Sequence, residues 1–350
     1  MKKIAFIDHS FHTKSRATQF LLEILKKKYE IETFWDKSWI GGPRIDITLI
    51  ASKQFDVIIL FQLIDSYSVN ELDSLNCNNI ILIPMFDNSG WQPDEYWLRF
   101  KKLKFINFSK SLHLKLIRLG IASQYFQFFL SPDKTKEQNR EFSKLNGFFW
   151  QRTNIITWDQ IKILVSATDF NKIHIHGAVD PPGYPLVLPC EQEKDKYNIT
   201  ISEWFSTKDD YLKLISDTHV FFAPRMFEGI GMAFIEAMAM GKCVVAPNNP
   251  TMNEYIVHGV NGLLYDPDNP EALDFSDVER LSDNSKRFMY KGYLRWVKSE
   301  KKLIKFIQSP RDSFWIRLNL LLKKGYIKSK IYFSVQYPNI FKAIKKILPT

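Results

Sequence analysis

Two glutamates eight positions apart, Glu228 and Glu236, are the residues of this chain best suited by type and spacing to do chemistry. They lie in FFAPRMFEGIGMAFIEAMAMGKCVVAP, residues 221–247. Glu236 has apolar neighbours on both sides, and burying an unpaired carboxylate costs on the order of several kcal/mol. It therefore needs a polar partner. An ion pair with a distant Lys or Arg is the plain answer; a hydroxylated ligand is the other. Ahead of it, Gly229-Ile230-Gly231-Met232 reads as a short loop entering a helix, with glycines that let the backbone approach a ligand. A strand, such a turn and a helix start form an anion site, because free N–H groups and the helix dipole face the ligand. The spacing predicts a helix from Gly231 to Met240, stopped at Gly241. Glu236 is then about five residues in, roughly 7–8 Å along the axis at 1.5 Å per residue. That is near the step from a pyrophosphate to the ribose of one nucleotide, and a carboxylate can accept from both ribose hydroxyls.

The elements that must position this loop are legible as alternating buried strands and helices. KKIAFID, FDVIILFQ, NIILIPMFD and KFINFS are continuous apolar runs of the kind parallel strands show when covered on both faces. TQFLLEILKKKYE has helical spacing, and KSLHLKLIRL is a helix with Ser109 as N-cap and Gly120 at its stop. A polar stretch without period, SPDKTKEQNREFSKLN, follows. A second alternation then runs GFFWQR, TWDQIKILVSAT, KIHIHG, NITISEW, KDDYLKLIS, HVFFAP, the glutamate helix and CVVAP. LLYDPDNPEAL is expected to end in a capped helix start. The chain thus reads as α/β, with two Rossmann-like doubly wound domains.

At 350 residues the chain exceeds one comfortable core, and two domains are expected. Three scattered cysteines (Cys77, Cys190, Cys243) show neither CxxC spacing nor a disulfide pattern, which fits a reducing compartment. MKKIAFIDHS lacks the long apolar core of a secretory signal, and no run reaches the roughly 18 apolar residues of a membrane span. The expected location is the cytoplasm. The net charge of +10 is uneven: residues 286–350 hold 17 Lys and Arg against Glu300 and Asp312. A basic tail of this kind implies a polyanionic partner. No nucleic-acid motif accompanies it, so an anionic membrane surface is the expected partner rather than nucleic acid.

EGIGMAFIEAMAMGKCVVAP, followed by NEYIVHGVNGLLYD, resembles the donor-site signature of the retaining GT-B glycosyltransferases of the family 4, or group 1, type. Glu228 and Glu236 stand at its E-x7-E. The resemblance extends over NITISEWFSTKDDYLKLISDTHVFFAP and KFINFSKSLHLKLIRLGI, and KRFMYKGYLRWVKSEKKLIKFIQ resembles the family's closing helix. It implies a GT-B architecture, with the two Rossmann-like domains facing across a cleft. The boundaries expected are an acceptor-side domain over 1–135, a linker over 136–147 and a nucleotide-sugar domain over 148–285. A helix over 286–308 crosses back to the first domain, and a basic amphipathic tail covers 309–350. The resemblance further implies transfer of a sugar from a nucleotide-diphosphate donor with retention, no metal and no other cofactor. The donor would meet Arg152, Glu228, Gly229, Ile230, Gly231, Met232 and Glu236, with Glu228 beside the transferred sugar. The acceptor would be a saccharide or a lipid-linked saccharide of a bacterial surface polysaccharide. Two departures stand out. DHSFHTKSR replaces a Gly-rich loop after the first strand, and Thr157 stands where a phosphate-binding Lys would follow Arg152.

Smaller constellations are weaker. His9 and His12 lie just past the first strand, where open α/β sheets bind ligands, and are acceptor-side candidates or ordinary loop histidines. Asp87 ends MFD, where relatives often place a histidine against the donor sugar, and is the second catalytic candidate beside Glu228. His174 and His176 alternate on one strand without a third ligand, which suits a structural role. Asp266-Pro267-Asp268 spells DxD, but Asn269 as N-cap and Pro270 at the first helical position account for it better than a metal. In the tail, Phe314, Trp315, Ile316, Leu318, Leu320, Leu321 and Leu322 form one apolar patch, and Ile340, Phe341, Ile344, Ile347 and Leu348 a second. Both are laced with Lys and Arg, as in helices that lie in a membrane interface. Packing of these faces on the first domain is the alternative.

Overall fold

The computed structural model describes residues 1–131, 141–179, 183–205, 207–310 and 314–336. It divides into two compact units: unit 1 is Met1–Phe126 with Glu300–Thr350, and unit 2 is Gln127–Ser299. Each is built on a six-stranded, all-parallel sheet with helices, so the chain is α/β in both units.

In unit 1 the strands are β1 (Lys2–His9), β2 (Tyr29–Asp36), β3 (Val57–Phe61), β4 (Ile80–Ile83), β5 (Lys104–Asn107) and β6 (Ala122–Tyr125), in the order β2-β1-β3-β4-β5-β6. Every residue of β3 and β4 is buried, as their unbroken apolar sequences require. The helices are α1 (His12–Ser15), α2 (Gln19–Lys26), α3 (Ile47–Ser52), α4 (Val69–Asp73), α5 (Phe86–Ser89), α6 (Asp94–Leu98) and α7 (Lys110–Arg118). Ser109 caps α7 by accepting from the Leu112 N–H, and Gly120, at φ +77°, ends it in the left-handed region. The core on one face joins Ile7, Ile58 and Leu82 from the sheet to Leu112 and Leu116 of α7.

Unit 2 holds β7 (Leu145–Trp150), α8 (Trp158–Leu164), β8 (Phe170–His176), α9 (Glu191–Lys196), β9 (Ile199–Ser202), α10 (Lys208–Ser216), β10 (Val220–Phe222), α11 (Met232–Ala239), β11 (Cys243–Pro247) and β12 (Leu263–Tyr265). Its order is β12-β11-β10-β7-β8-β9. Phe149, Ile175, Phe222 and Val245, one from each of four neighbouring strands, meet Trp158 and Leu164 of α8 in its core. The expected helix start at Asn269 does not form. Instead Asp266 Oδ1 accepts from the Asp268 N–H in a local turn, and the Leu273 N–H donates to Leu164 O. The segment lies extended against α8 and buries Phe275, so its backbone groups are engaged without a helix.

A long helix, α12 (Val278–Gln308), gives its residues through Ser299 to unit 2 and the remainder to unit 1. Within unit 1, buried Lys104 donates from Nζ to the carbonyls of Phe306 (2.7 Å) and Ser309 (2.6 Å), satisfying the C-terminal end of α12, and burial lowers its pKa to about 7. The last described element is α13 (Phe314–Gln336), which packs on α7 and β6. Leu320 and Lys323 face Ile117 and Ser123 there, while Leu321 (67% exposed), Leu322 (62%) and Tyr326 (65%) face outward. The second tail patch, 340–348, lies outside the described residues, as does most of the polar stretch before β7. Among the described residues no helix is long and apolar enough to cross a membrane.

Candidate functional site

In an open parallel sheet, ligands enter the crevice outside the carboxyl ends of the two strands where the strand order reverses. In unit 2 these strands are β7 and β10. Arg152 follows β7, and the loop carrying Glu228 follows β10, so topology brings the two segments to one crevice.

The loop is tied down by hydrogen bonds to Pro250 and Thr251. Glu228, only 5% exposed, donates its N–H to Pro250 O at 3.4 Å, and its carbonyl accepts from Thr251 Oγ1 at 2.6 Å. Gly229 O accepts from the same hydroxyl at 3.2 Å. Gly231 is the N-cap of α11 at φ +80°, and a Cβ there would lie 1.9 Å from the buried ring of Phe234. Only glycine fits this entry. No side chain caps α11, so the first-turn N–H groups beginning at Met232 are left to meet solvent or a ligand. The helix ends at Ala239, with Gly241 left-handed two residues later. Ile230, within the loop, is buried. Glu236 is half-buried on the same helix, between buried Ile235 and Ala237.

One further residue ties the site together. Tyr211 of α10 is 8% exposed, and its ring packs on Phe148, Trp150 and His176 at centroid distances of 6.0, 5.4 and 6.4 Å. Burial raises its pKa well above the usual phenol value; the Glu236 charge adds to this and the Arg152 charge opposes it. The phenol therefore stands within the fields of both residues. Its hydroxyl has no hydrogen-bond partner among the described residues, an arrangement that wants a polar ligand. Arg152 itself lies over the Trp150 ring, 4.6 Å from its centroid. Thr157, by contrast, is committed to structure: its N–H and hydroxyl both donate to Gln160 Oε1 at the start of α8. His174 and His176 share Ser202 Oγ at 2.8 and 2.9 Å, and burial lowers both pKa values to about 4.

Unit 1 reverses its strand order between β1 and β3. His9 ends β1, and His12 opens α1 just beyond it. His12 Nδ1 bonds both oxygens of buried Asp8, at 2.8 and 2.9 Å, and Asp8 also accepts from Thr18 Oγ1 at 3.0 Å. His9 Nε2 bonds Gln62 Oε1 at 2.8 Å across the crevice, and the two imidazole rings are 3.8 Å apart. Gln62 holds a left-handed backbone, φ +60°, immediately past β3. Burial first, then the neighbouring His12, pushes the His9 pKa down. Phe11 and Trp39 flank His9 at 6.5 and 5.7 Å. Asp87 stands on the short helix α5 after β4, half-buried, with Met85 as the N-cap.

Sequence reasoning does not single out Tyr211, Thr251, Asp8 or Gln62. Asp8 and His12 carry a signal, a four-residue spacing at a strand end. Gln62 stands 53 positions from His9, and Tyr211 and Thr251 sit in elements remote in sequence from the groups they serve, so none of these three carries one.

Comparison with known proteins now bears on this geometry. Residues 184–302 match the family model of glycosyl transferases group 1. Sucrose synthase 5 of Arabidopsis thaliana is 32% identical over 146 residues, which is 37% of this chain and 17% of that protein. An uncharacterized glycosyltransferase of Methanocaldococcus jannaschii is 31% identical over 98 residues, 25% of each chain. The chain thus spans a quarter or less of the length of these relatives. Among solved structures, Anabaena HepE in complex with UDP and glucose superposes with a TM-score of 0.59 at 14% identity, over 87% of this chain and 100% of that one. The lipopolysaccharide outer core galactosyltransferase WaaB gives 0.54 at 13%, over 93% and 99%. The fold is GT-B. The group 1 stretch contains Tyr211, Glu228, α11 and Thr251, so most of the unit 2 crevice falls inside it.

Proposed function

We propose that this chain is a retaining glycosyltransferase that moves a sugar from a nucleotide-diphosphate donor to a saccharide or lipid-linked saccharide acceptor. The setting would be the biosynthesis of a bacterial surface polysaccharide such as lipopolysaccharide, capsule or O-antigen. The observation that carries the reading is the crevice between β7 and β10. The segments that follow these two strands carry an uncapped helix start, the Arg152 cation and a carboxylate one and a half turns along α11, and the helix and its carboxylate fall within the stretch that matches the group 1 glycosyltransferase model. HepE, solved with UDP-glucose, supports a nucleotide-sugar donor, and WaaB supports a surface-saccharide acceptor.

In this reading the first-turn N–H groups of α11 and the Arg152 guanidinium hold the diphosphate, with no metal between them. Glu236 accepts from the ribose diol, and the Tyr211 hydroxyl donates to the nucleotide. Glu228 stands by the transferred sugar; in unit 1, Asp87 is the second catalytic candidate, and His9 and His12 are the acceptor-side candidates. The acceptor hydroxyl attacks the anomeric carbon as the bond to the leaving diphosphate oxygen breaks. The leaving phosphate takes the hydroxyl proton on the same face, so the protein positions the reactants and offsets charge. The enzyme would work in the cytoplasm at the inner face of the membrane. The outward Leu321, Leu322 and Tyr326 of α13, next to Lys324 and Lys328, support an anionic lipid surface as partner for 309–350.

A thermal-shift screen of nucleotide sugars tests the donor, since a bound ligand stabilises the native state by mass action. A donor that raises the melting temperature should also be consumed when acceptor extracts are added. If no nucleotide or nucleotide sugar stabilises the protein, the reading fails. Liposome co-sedimentation of the full chain against a chain ending at Gln308 tests the tail. Equal sedimentation of both would remove its role.

A further inference from the structure

We infer that Asp8, His9 and His12 form a binding site for a divalent d-block cation of the zinc class at the β1–β3 crevice of unit 1. Each offers one ligand atom, and these atoms lie within 4.8 Å of one another. Two imidazoles and one carboxylate are the donor set that zinc and its neighbours take, and not the all-oxygen set of magnesium or calcium.

The hydrogen bonds around the cluster give it the supports of a metal site. His9 Nε2 is engaged with Gln62 Oε1, so this nitrogen carries the proton and Nδ1 presents its lone pair. That Nδ1 is buried and has no hydrogen-bond partner among the described residues. A buried acceptor left unpaired is costly, and a cation is one of the groups that accounts for it. An outer polar group holding the far nitrogen of a ligating histidine is the usual second layer of such sites, and Gln62 supplies it. Asp8 is held in turn by the Thr18 hydroxyl and by the His9 N–H at 2.8 Å, so its carboxylate is oriented before any ion arrives. The ion would replace the proton between His12 Nδ1 and Asp8, and that proton would move to His12 Nε2 with no net release. Three protein ligands leave a position for water or a hydroxyl group. The site is built from unit 1 residues alone, and its existence does not depend on which reaction the protein performs.

The test uses the full chain with any affinity tag removed and chelator washed away. Calorimetric titration with Zn2+ alone should give saturable uptake of one equivalent per chain. Co2+ should give visible d–d bands of a nitrogen- and oxygen-ligated ion without a thiolate charge-transfer band. His9→Ala should weaken Zn2+ binding at least tenfold, and Gln62→Leu, which removes no ligand, should weaken it to a smaller degree. Circular dichroism matched to wild type certifies each fold. No saturable uptake by the wild type, unchanged affinity in folded His9→Ala, or a thiolate band pointing to Cys190 would each overturn the site.

Discussion

Replacing Gly231 with alanine tests whether the α11 entry is fixed by backbone geometry. At φ +80° an L-residue pays about 1–2 kcal/mol for the left-handed conformation alone. The added Cβ would also sit 1.9 Å from Cε1 and 2.4 Å from Cδ1 of Phe234, whose ring is fully buried and cannot swing into solvent. Forcing that ring off its rotamer adds about 1–3 kcal/mol, the usual cost of overpacking. Gly241 supplies the internal control at the other end of the helix. Its φ is +70°, but the atoms nearest to an added methyl would be 3.6 Å away, an ordinary contact. Gly241→Ala should therefore lose only the conformational part, and Gly231→Ala about 2–5 kcal/mol in all. For a unit of this size each kcal/mol lowers the melting temperature by about 2–4 °C, so the two variants should differ by several degrees. Differential scanning calorimetry of both, read on the same transition, gives the answer. If Gly231→Ala melts with Gly241→Ala, the close packing of Phe234 under the loop is not what holds the helix start.

The two glutamates should separate kinetically. Glu236→Ala should weaken free nucleotide-diphosphate binding by about 1.5–3 kcal/mol, measured by calorimetry, whereas Glu228→Gln should lower kcat and leave that affinity near wild type. Matching losses in both variants would mean that they share one job. Tyr211→Phe, which removes only an unpartnered hydroxyl, should not lower the melting temperature of the free protein and should raise the donor KM several-fold. An unchanged KM would take that hydroxyl out of the site. Finally, His174 and His176 stay neutral in the folded protein down to about pH 4, while in the unfolded chain they protonate below pH 6.5. The unfolded state binds more protons between those values, so stability should be level above pH 6.5 and fall as pH drops towards 4. Urea midpoints measured across that window should decline; a flat profile would contradict the burial of these imidazoles.

Much of the architecture could be read from the chain because parallel strands covered on both faces must be apolar throughout. VIILF and IILI announce β3 and β4 for that reason. The Gly-Ile-Gly turn before FIEAMAM announces α11, since a left-handed residue packed on Phe234 has to be glycine. The edge strand β2 was not legible: Glu30 and Glu32 break its apolar pattern, and an edge can carry them because one side of the strand is unpaired. The expected helix at Asn269 failed because a local cap and proline give a helix permission to start, whereas Leu164 O and the pocket for Phe275 decide that it does not. The same limit applies to the sites. Residue types and short spacings nominated Glu228, Glu236, His9 and His12, and the family resemblance added Arg152; all but Glu236, which lies inside α11, sit at the ends of strands or in the loops and short helices that follow them. Which distant side chains join them is a matter of strand order: β7 beside β10 gives Arg152 and Glu236 a common neighbour in Tyr211, and β1 beside β3 sets Gln62 against His9. Such pairings depend on long-range sheet assembly, for which no local stretch of sequence carries a signal.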